Sequence, residues 1–419
     1  MAINKIKLSN FKSFRDLELE LGNFNVIIGA NASGKSNFIQ IFRFLRDTME
    51  FGLESAISMQ GGVEYFRNIN IGASERFSVE INSNIREPYM TAVGASDLIA
   101  YECLYKFTLD FMGSRLFEVA QEQMLQKLNI YKKPEHTDKT KREKIGKGEI
   151  FISRNKREAN LTFKTPKKIV IDTDAVFQIF TTQGILSSQK KPKPKSLLIE
   201  EPLFLVGYGS KRNLGGTSIY DLDPKSSKRS QKITGKAELE EDGSNLALIL
   251  QNILKSSNDR KRLLNLIRNL LPFVDAFHVQ TFADKSLMLK VRESYTPVKS
   301  LPASFLSDGT INIAALVVAL YFSGDHLKII EEPGRNIHPH LISRIIEMMK
   351  EASKQNQIIV TTHNPEIVRY ADVDNILLVS RDKYGYSHIS KPAEKKEIQA
   401  FLENEMGIDE LYVQNILGI

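Results

Sequence analysis

The stretch GANASGKSN, residues 29–37, satisfies the pattern G-x-x-x-x-G-K-[ST]. FNVII (24–28), directly before it, is an apolar run of strand length. Directly after it a helix is expected over about 35–49, because Phe38, Ile41, Phe42 and Leu45 recur at the spacing of one buried helical face. Strand, loop and helix in this order make a phosphate cradle: backbone N–H groups of residues 31–36 converge on an anion at the positive end of the helix. The candidate ATP-binding residues are thus Asn31, Ala32, Ser33, Gly34, Lys35, Ser36 and Asn37. Lys35 would bring a point charge to the β- and γ-phosphates, and the Ser36 hydroxyl would ligate Mg2+.

Such a loop works with a carboxylate at the end of a neighbouring strand. EEPGRNIHP (331–339), which follows the mostly apolar LKII (327–330), supplies two. Glu331 fits as a ligand in the Mg2+ shell, and Glu332, one residue further, could orient or deprotonate an attacking water. Taken alone, the pair would be a solvated strand end. His338 and His340 beside them raise a transition-metal site as a weaker alternative. His363 follows a second apolar strand, 357–361. Ser307, Asp308, Gly309 and Thr310 (SDGT) open an apolar helix over about 310–323; alone they are a helix cap and turn, in context an anion-binding helix start.

With 419 residues, 42% of them apolar, the chain can bury two or three lobes. Its single cysteine, Cys103, excludes an internal disulfide and a multi-thiolate zinc site, and suits a reducing cytoplasm. The longest uncharged apolar segment, 310–324, falls short of the roughly 20 residues that span a bilayer, so no membrane location is expected. Net charge is +7, but residues 131–168 alone hold 13 Lys or Arg against five acids, leaving the remainder near neutral. Smaller basic clusters lie at 189–195 and 225–232. Such runs are either solvated loops or a surface for the phosphates of DNA.

Along the chain, residues 3–29 read as three strands. The middle, about 76–235, carries short alternating runs at 77–81, 105–109, 151–153 and 169–171 between Lys-, Pro- and Gly-containing loops, which predicts antiparallel β structure. From about 236 onward, α/β alternation returns: helices starting near Gly243 and Asp259, strands at 276–282 and 287–291, the apolar helix, strand 327–331, an amphipathic helix over 340–353, and strands at 357–361 and 376–379. No heptad run predicts a long coiled coil. The expected domains are an N-terminal part of a nucleotide-binding head (1–75), a β-rich basic lobe (76–235) and the C-terminal part of the head (236–419).

NFKSFRDLELELGNFNVIIGANASGKSN, LPASFLSDGT, IIEEPGRNIHP and IIVTTHNPEIV occur in the order of the Walker A region, signature, Walker B with D-loop, and switch-histidine segments. In this they resemble ABC-type ATPases of the SMC/RecF/OLD group. EEDGSNLALIL and MGIDELYVQNILG resemble the small stand-alone AAA-type ATPases of that group, many of which serve bacterial anti-phage systems. The resemblance implies an ABC-type P-loop head interrupted by the β-rich lobe between Walker A and signature. It also implies an ATP sandwich between two copies, with Ser307, Asp308, Gly309 and Thr310 meeting the nucleotide of the partner, Glu332 and His363 catalytic, and a larger assembly left open. His338-Pro339 then falls in the D-loop. The function so implied is ATP hydrolysis controlling a separate effector, a nuclease or toxin, in anti-phage defence. A RecF-type repair ATPase binding duplex DNA through 131–168, and an ATP-bound scaffold of low turnover, are the alternatives. The chain departs from the family pattern at Ala32, where Gly is usual and where a methyl is tolerated if φ is negative. It departs also at Glu331, where classical members have Asp, and at Gly334-Arg335, where Glu-Asn is frequent. The Gln that completes the metal shell has only Gln60 and Gln121 as candidates.

Overall fold

The computed structural model describes residues 2–85, 90–93, 96–133, 143–166, 192–200, 216–232, 238–403, 407–414 and 416. The chain divides into two compact units. One comprises Met1–Gly22, Ser36–Thr217 and Ser380–Ile389, the other Asn23–Lys35, Ser218–Val379 and Ser390–Ile419.

The first unit is built on an antiparallel sheet whose strands run in the order Phe14–Glu20, Ala2–Phe11, Phe77–Asn84, Ser96–Met112, Leu116–Lys132, Lys144–Asn155 and Glu158–Lys164, with Met90–Val93 paired to Ser96–Met112. Alternation puts one side chain in two inward. Phe11, Phe77 and Phe107 point to the buried face, where they meet Phe44 of the helix Lys35–Phe51 and Phe66. Ring centroids there lie 4.7–6.4 Å apart, several of them edge to face, the geometry aromatic quadrupoles favour. The opposite face is polar and laced by directly facing ion pairs: Lys7–Glu18 at 3.1 Å, Lys106–Glu80 at 3.5 Å and Lys127–Glu102 at 3.0 Å.

The middle of the chain is antiparallel β as expected, but three of its strands are long. The run at 105–109 is the centre of the 17-residue strand Ser96–Met112, and the 17-residue strand Leu116–Lys132 beside it has no counterpart in the sequence reading. The expected strand at 169–171 lies outside the described residues, as do parts of the basic segment 131–168.

The second unit is built on a sheet in the order Thr217–Tyr220, Leu327–Glu331, Gln357–Thr361, Phe24–Ile28, Ile376–Arg381 and Ser387–Ser390, in which the four middle strands pair in parallel. Four of these strands are almost wholly buried and read as continuous apolar runs, as parallel strands covered on both faces do. The helix Asp308–Tyr321 is buried along Thr310–Leu320, which is why its sequence is apolar on every side. Pro339–Ser353 buries the stripe Leu341, Ile342, Ile345, Ile346 and Met349. The helices expected near 243 and 259 are Leu246–Lys255 and Ser257–Leu270. A small antiparallel sheet of Gln231–Lys232, Ser286–Glu293, Val274–Thr281 and Leu301–Pro302 completes the unit. Among the described residues no long coiled coil occurs, and no helix is long and apolar enough to cross a membrane.

Candidate active site

Parallel pairing fixes the site. Glu331 sits opposite Thr361, and Thr361 opposite Ile27, so three strands end in one row, and the loop 29–34 leaves Phe24–Ile28, the strand next to Gln357–Thr361. The crevice outside the carboxyl ends of parallel strands is where open α/β sheets bind ligands.

Within the loop, Lys35 is half-buried, and its ammonium donates to the carbonyls of Gly29 at 2.6 Å and Ala30 at 3.0 Å. Burial lowers its pKa, and Glu332 pulls it back up. Asn31, Ala32 and Ser36 are exposed, Ser33 is buried, and Gly34 is partly covered at φ +117°. Asn37 donates from its side-chain amide to Ser13 at 2.8 Å. Ala32 has φ +62°, the left-handed region in which Cβ crowds the following carbonyl. The condition for a harmless methyl at this position is therefore not met: the alanine is strained where the usual glycine would not be.

Glu332 also stands in the left-handed region, at φ +44°. Its N–H donates to Thr361 O at 2.8 Å and its carbonyl accepts from Arg335 N at 3.0 Å, which fixes the turn. Its carboxylate accepts from the Thr362 hydroxyl at 3.0 Å, from the His363 backbone N–H at 3.0 Å and from His363 Nδ1 at 2.6 Å. Facing a carboxylate, Nδ1 carries the proton, which leaves Nε2 as the free nitrogen of an exposed ring. The Thr362 hydroxyl accepts in turn from Asn364 N at 3.0 Å, and Asn364 caps the helix Pro365–Tyr370. Glu331 lies at the last position of its strand, half-exposed. Thr362, which sequence reasoning passed over, thus touches the same carboxylate as His363; its signal was the second Thr of TTH, directly after the strand.

Ser307 caps the helix Asp308–Tyr321, its hydroxyl accepting from Thr310 N at 3.1 Å and lying 2.8 Å from the Thr310 hydroxyl. A side chain at Gly309 would place Cβ 2.7 Å from Asn336 O, so only glycine allows this approach of helix start and turn. Asn312 donates to Arg335 O at 2.7 Å. Gly334 is enclosed by Ile342, Ile367 and Asn364, each 3.1–3.2 Å from where its Cβ would be, and Arg335 pairs with Asp221 at 3.0 Å. Gly334-Arg335 therefore has a local packing and charge rationale. Asp308 pairs with Lys228, a contact that sequence reasoning did not find.

Gln60 donates to Gln40 at 3.1 Å, and Gln121 is an exposed strand residue. His338 caps the helix Pro339–Ser353, its Nδ1 lying 2.7 Å from that of His340, both exposed. Among the described residues no cluster of three or more His, Cys, Asp or Glu is placed to hold a metal ion.

Residues 1–368 match the AAA ATPase domain family, and the chain belongs to that family: it is an ATPase by class. An uncharacterized protein of Methanocaldococcus jannaschii is 28% identical over 97 residues, 22% of this chain, and the chain spans about a quarter of that relative's length. Among solved structures, the SMC head domain from Thermotoga maritima is similar at 15% identity and a TM-score of 0.43, covering 93% of this chain and 99% of that one. An Smc head domain with an extended coiled coil from Pyrococcus furiosus, bound to the C-terminal domain of ScpA, is similar at 14% identity and a TM-score of 0.45, covering 96% and 99%.

Proposed function

We propose that the protein binds ATP with Mg2+ at residues 31–37, hydrolyses it, and uses the cycle to associate two copies and control a separate effector. The observation that carries the catalytic part is the clamp on Glu332, a carboxylate fixed from three sides at the strand ends beside the phosphate loop. The donor set suits the ligand: loop N–H groups and Lys35 for phosphate oxygens, the Ser36 hydroxyl and the Glu331 carboxylate as hard oxygen donors for Mg2+. Mg2+, when bound, would neutralise phosphate charge. Glu332 then takes a proton from water as its oxygen bonds to the γ-phosphorus and the bond to the leaving ADP oxygen breaks. His363 holds Glu332 through Nδ1, and only with a second proton on Nε2 would its exposed ring also donate to a γ-phosphate oxygen. Ser307, Asp308, Gly309 and Thr310 would meet the nucleotide of a second copy; the ordered motifs support this. The resemblance to stand-alone ATPases of anti-phage systems supports the effector, a nuclease or toxin, and a cytoplasmic setting, where ATP is available.

Glu332→Gln tests the reading. It should keep ATP binding, lower phosphate release by at least about 100-fold, and increase ATP-dependent dimer in light scattering. Turnover unchanged from a wild-type rate well above the protein-free background would remove Glu332 from catalysis, and a wild-type rate no higher than that background would make the protein a low-turnover scaffold.

A further inference from the structure

Asp308 poses a problem at the place where it stands. It is the first residue of the helix Asp308–Tyr321, next to Ser307 and Gly309, at a helix start suited to an anion. A carboxylate favours that helix end but repels an incoming phosphate. The charge is met by one residue: the Lys228 ammonium pairs with the Asp308 carboxylate and also donates to Leu306 O at 2.7 Å. It therefore grips the turn on both sides of Ser307. Its side chain is only 17% exposed while that of Asp308 is 35% exposed, so the lysine end of the pair is largely covered and the carboxylate end still meets solvent.

The lysine is itself held in place. It ends the short helix Pro224–Lys228, whose start is capped by Asp223, with Oδ1 accepting from Lys225 N at 3.0 Å and Oδ2 from the Ser226 hydroxyl at 3.1 Å. The Ser227 hydroxyl donates to Gly243 O at 2.9 Å. Two residues before that cap, Asp221 pairs with Arg335, whose carbonyl accepts from Asn312 of the long helix. Residues 221–228 thus brace the turn 306–310 at one end and the turn 334–336 at the other, and the basic cluster 225–232 gains a use other than contact with nucleic acid.

We propose that Lys228 is a positioning residue for the turn 306–310, fixing its backbone at Leu306 and cancelling the charge of Asp308 so that the turn can receive the phosphate of ATP held by a second copy of the chain. This rests on the reading of Ser307–Thr310 given above. The test measures ATP-dependent association in a Glu332→Gln background by light scattering, with KM for ATP in the otherwise wild-type chain. Lys228→Met should weaken association and raise KM by about tenfold or more, with ADP affinity unchanged. Lys228→Arg should stay within about threefold of the parent, and Lys228→Met with Asp308→Asn should recover most of the loss. A loose turn without a charge role would not be rescued by the second substitution, so failure of that rescue overturns the proposal, as does parental association by Lys228→Met. Ser307→Arg separates the two readings. If it associates like the parent, the turn does not face a partner's nucleotide; if it is dead while Lys228→Met is normal, only the role of Lys228 falls. Should Lys228→Met not fold, the double variant and Lys228→Arg still decide the outcome.

Discussion

Ala32 and Glu332 both stand in the left-handed backbone region without being glycine, and they do so for different reasons. Glu332 at φ +44° is over-determined: its N–H, its carbonyl and three contacts to its carboxylate hold it, the pattern in which local strain of about 1–3 kcal/mol persists at a working site. Ala32 at φ +62° carries a methyl that a glycine would not. Ala32→Gly should raise stability by roughly 0.5–1 kcal/mol, the left-handed cost offset by the entropy of glycine, read as a higher unfolding midpoint; a lower midpoint would mean that the methyl is tolerated. Thr362 offers the sharper test of the clamp. Thr362→Val keeps the shape and removes the hydroxyl that donates to Glu332 and accepts from Asn364 N. A fall in kcat of about 10- to 100-fold with ATP affinity intact is expected, and equal loss of binding would assign Thr362 to the nucleotide instead. The separate parts of this site were legible in the chain, because GANASGKSN, EEP and TTH each carry their own chemistry. The contact between Glu332 and His363 was not, since it depends on the register that sets Glu331 against Thr361, and a single sequence does not show strand pairing.

At the scale of elements, two buried ionic groups link stability to pH in opposite directions. Lys328, wholly buried on the strand Leu327–Glu331, donates to Leu320 O at 2.6 Å in the last turn of the helix Asp308–Tyr321 and to Ser323 O at 3.3 Å just past its end. Burial brings its pKa down from 10.5 to about 8. Between those values the unfolded chain binds more protons than the folded one, so stability rises with pH from about 8 to 10.5 and is lost again as pH falls through 8. Lys328→Met should flatten that rise in thermal unfolding; an unchanged slope would assign it to another group. Glu122 lies on the buried face of Leu116–Lys132. It accepts from the Tyr105 hydroxyl and from Leu198 N, both at 2.8 Å, with the Arg154 guanidinium 3.8 Å away. Burial raises its pKa from 4.5 to about 7. Here the folded chain holds the proton longer, so stability is full below 4.5 and falls as pH rises through 7. Glu122→Gln, which mimics the protonated acid, should remove that fall, worth on the order of 3 kcal/mol; a persisting slope would rule the group out. The strand carrying Glu122 was hidden in the sequence for a physical reason. A register irregularity brings Val119 and Ala120 both inward, which shifts the phase of alternation near the start of the strand. The parallel strands had no such break, and their apolar runs gave boundaries that match at 327–331 and 357–361.

At the scale of the molecule, charge is distributed differently from what a count over 131–168 suggests. Arg154, one of the 13 basic residues there, is turned inward and donates to Lys156 O at 2.7 Å and Lys193 O at 2.5 Å, while Lys195 of the 189–195 cluster pairs with Glu54 at 2.8 Å. On the polar face of the large sheet, Lys106 and Lys127 stand directly opposite glutamates. A lysine already paired with a carboxylate offers a phosphate chain little net attraction, so these positions should add little to DNA affinity. If the chain binds duplex DNA, the affinity should depend on the unalternated run of Lys139, Lys141 and Arg142. Reversing those three charges should cut affinity steeply at low salt and reduce the slope of log K against log salt by about 0.9 for each phosphate left without its cation. Reversing Lys106 and Lys127 should change the slope far less. Equal effects at both places would make Lys106 and Lys127 part of the DNA-binding surface as well, and no effect at either would leave the basic segment without a role in DNA binding, which favours control of a protein effector over a repair function.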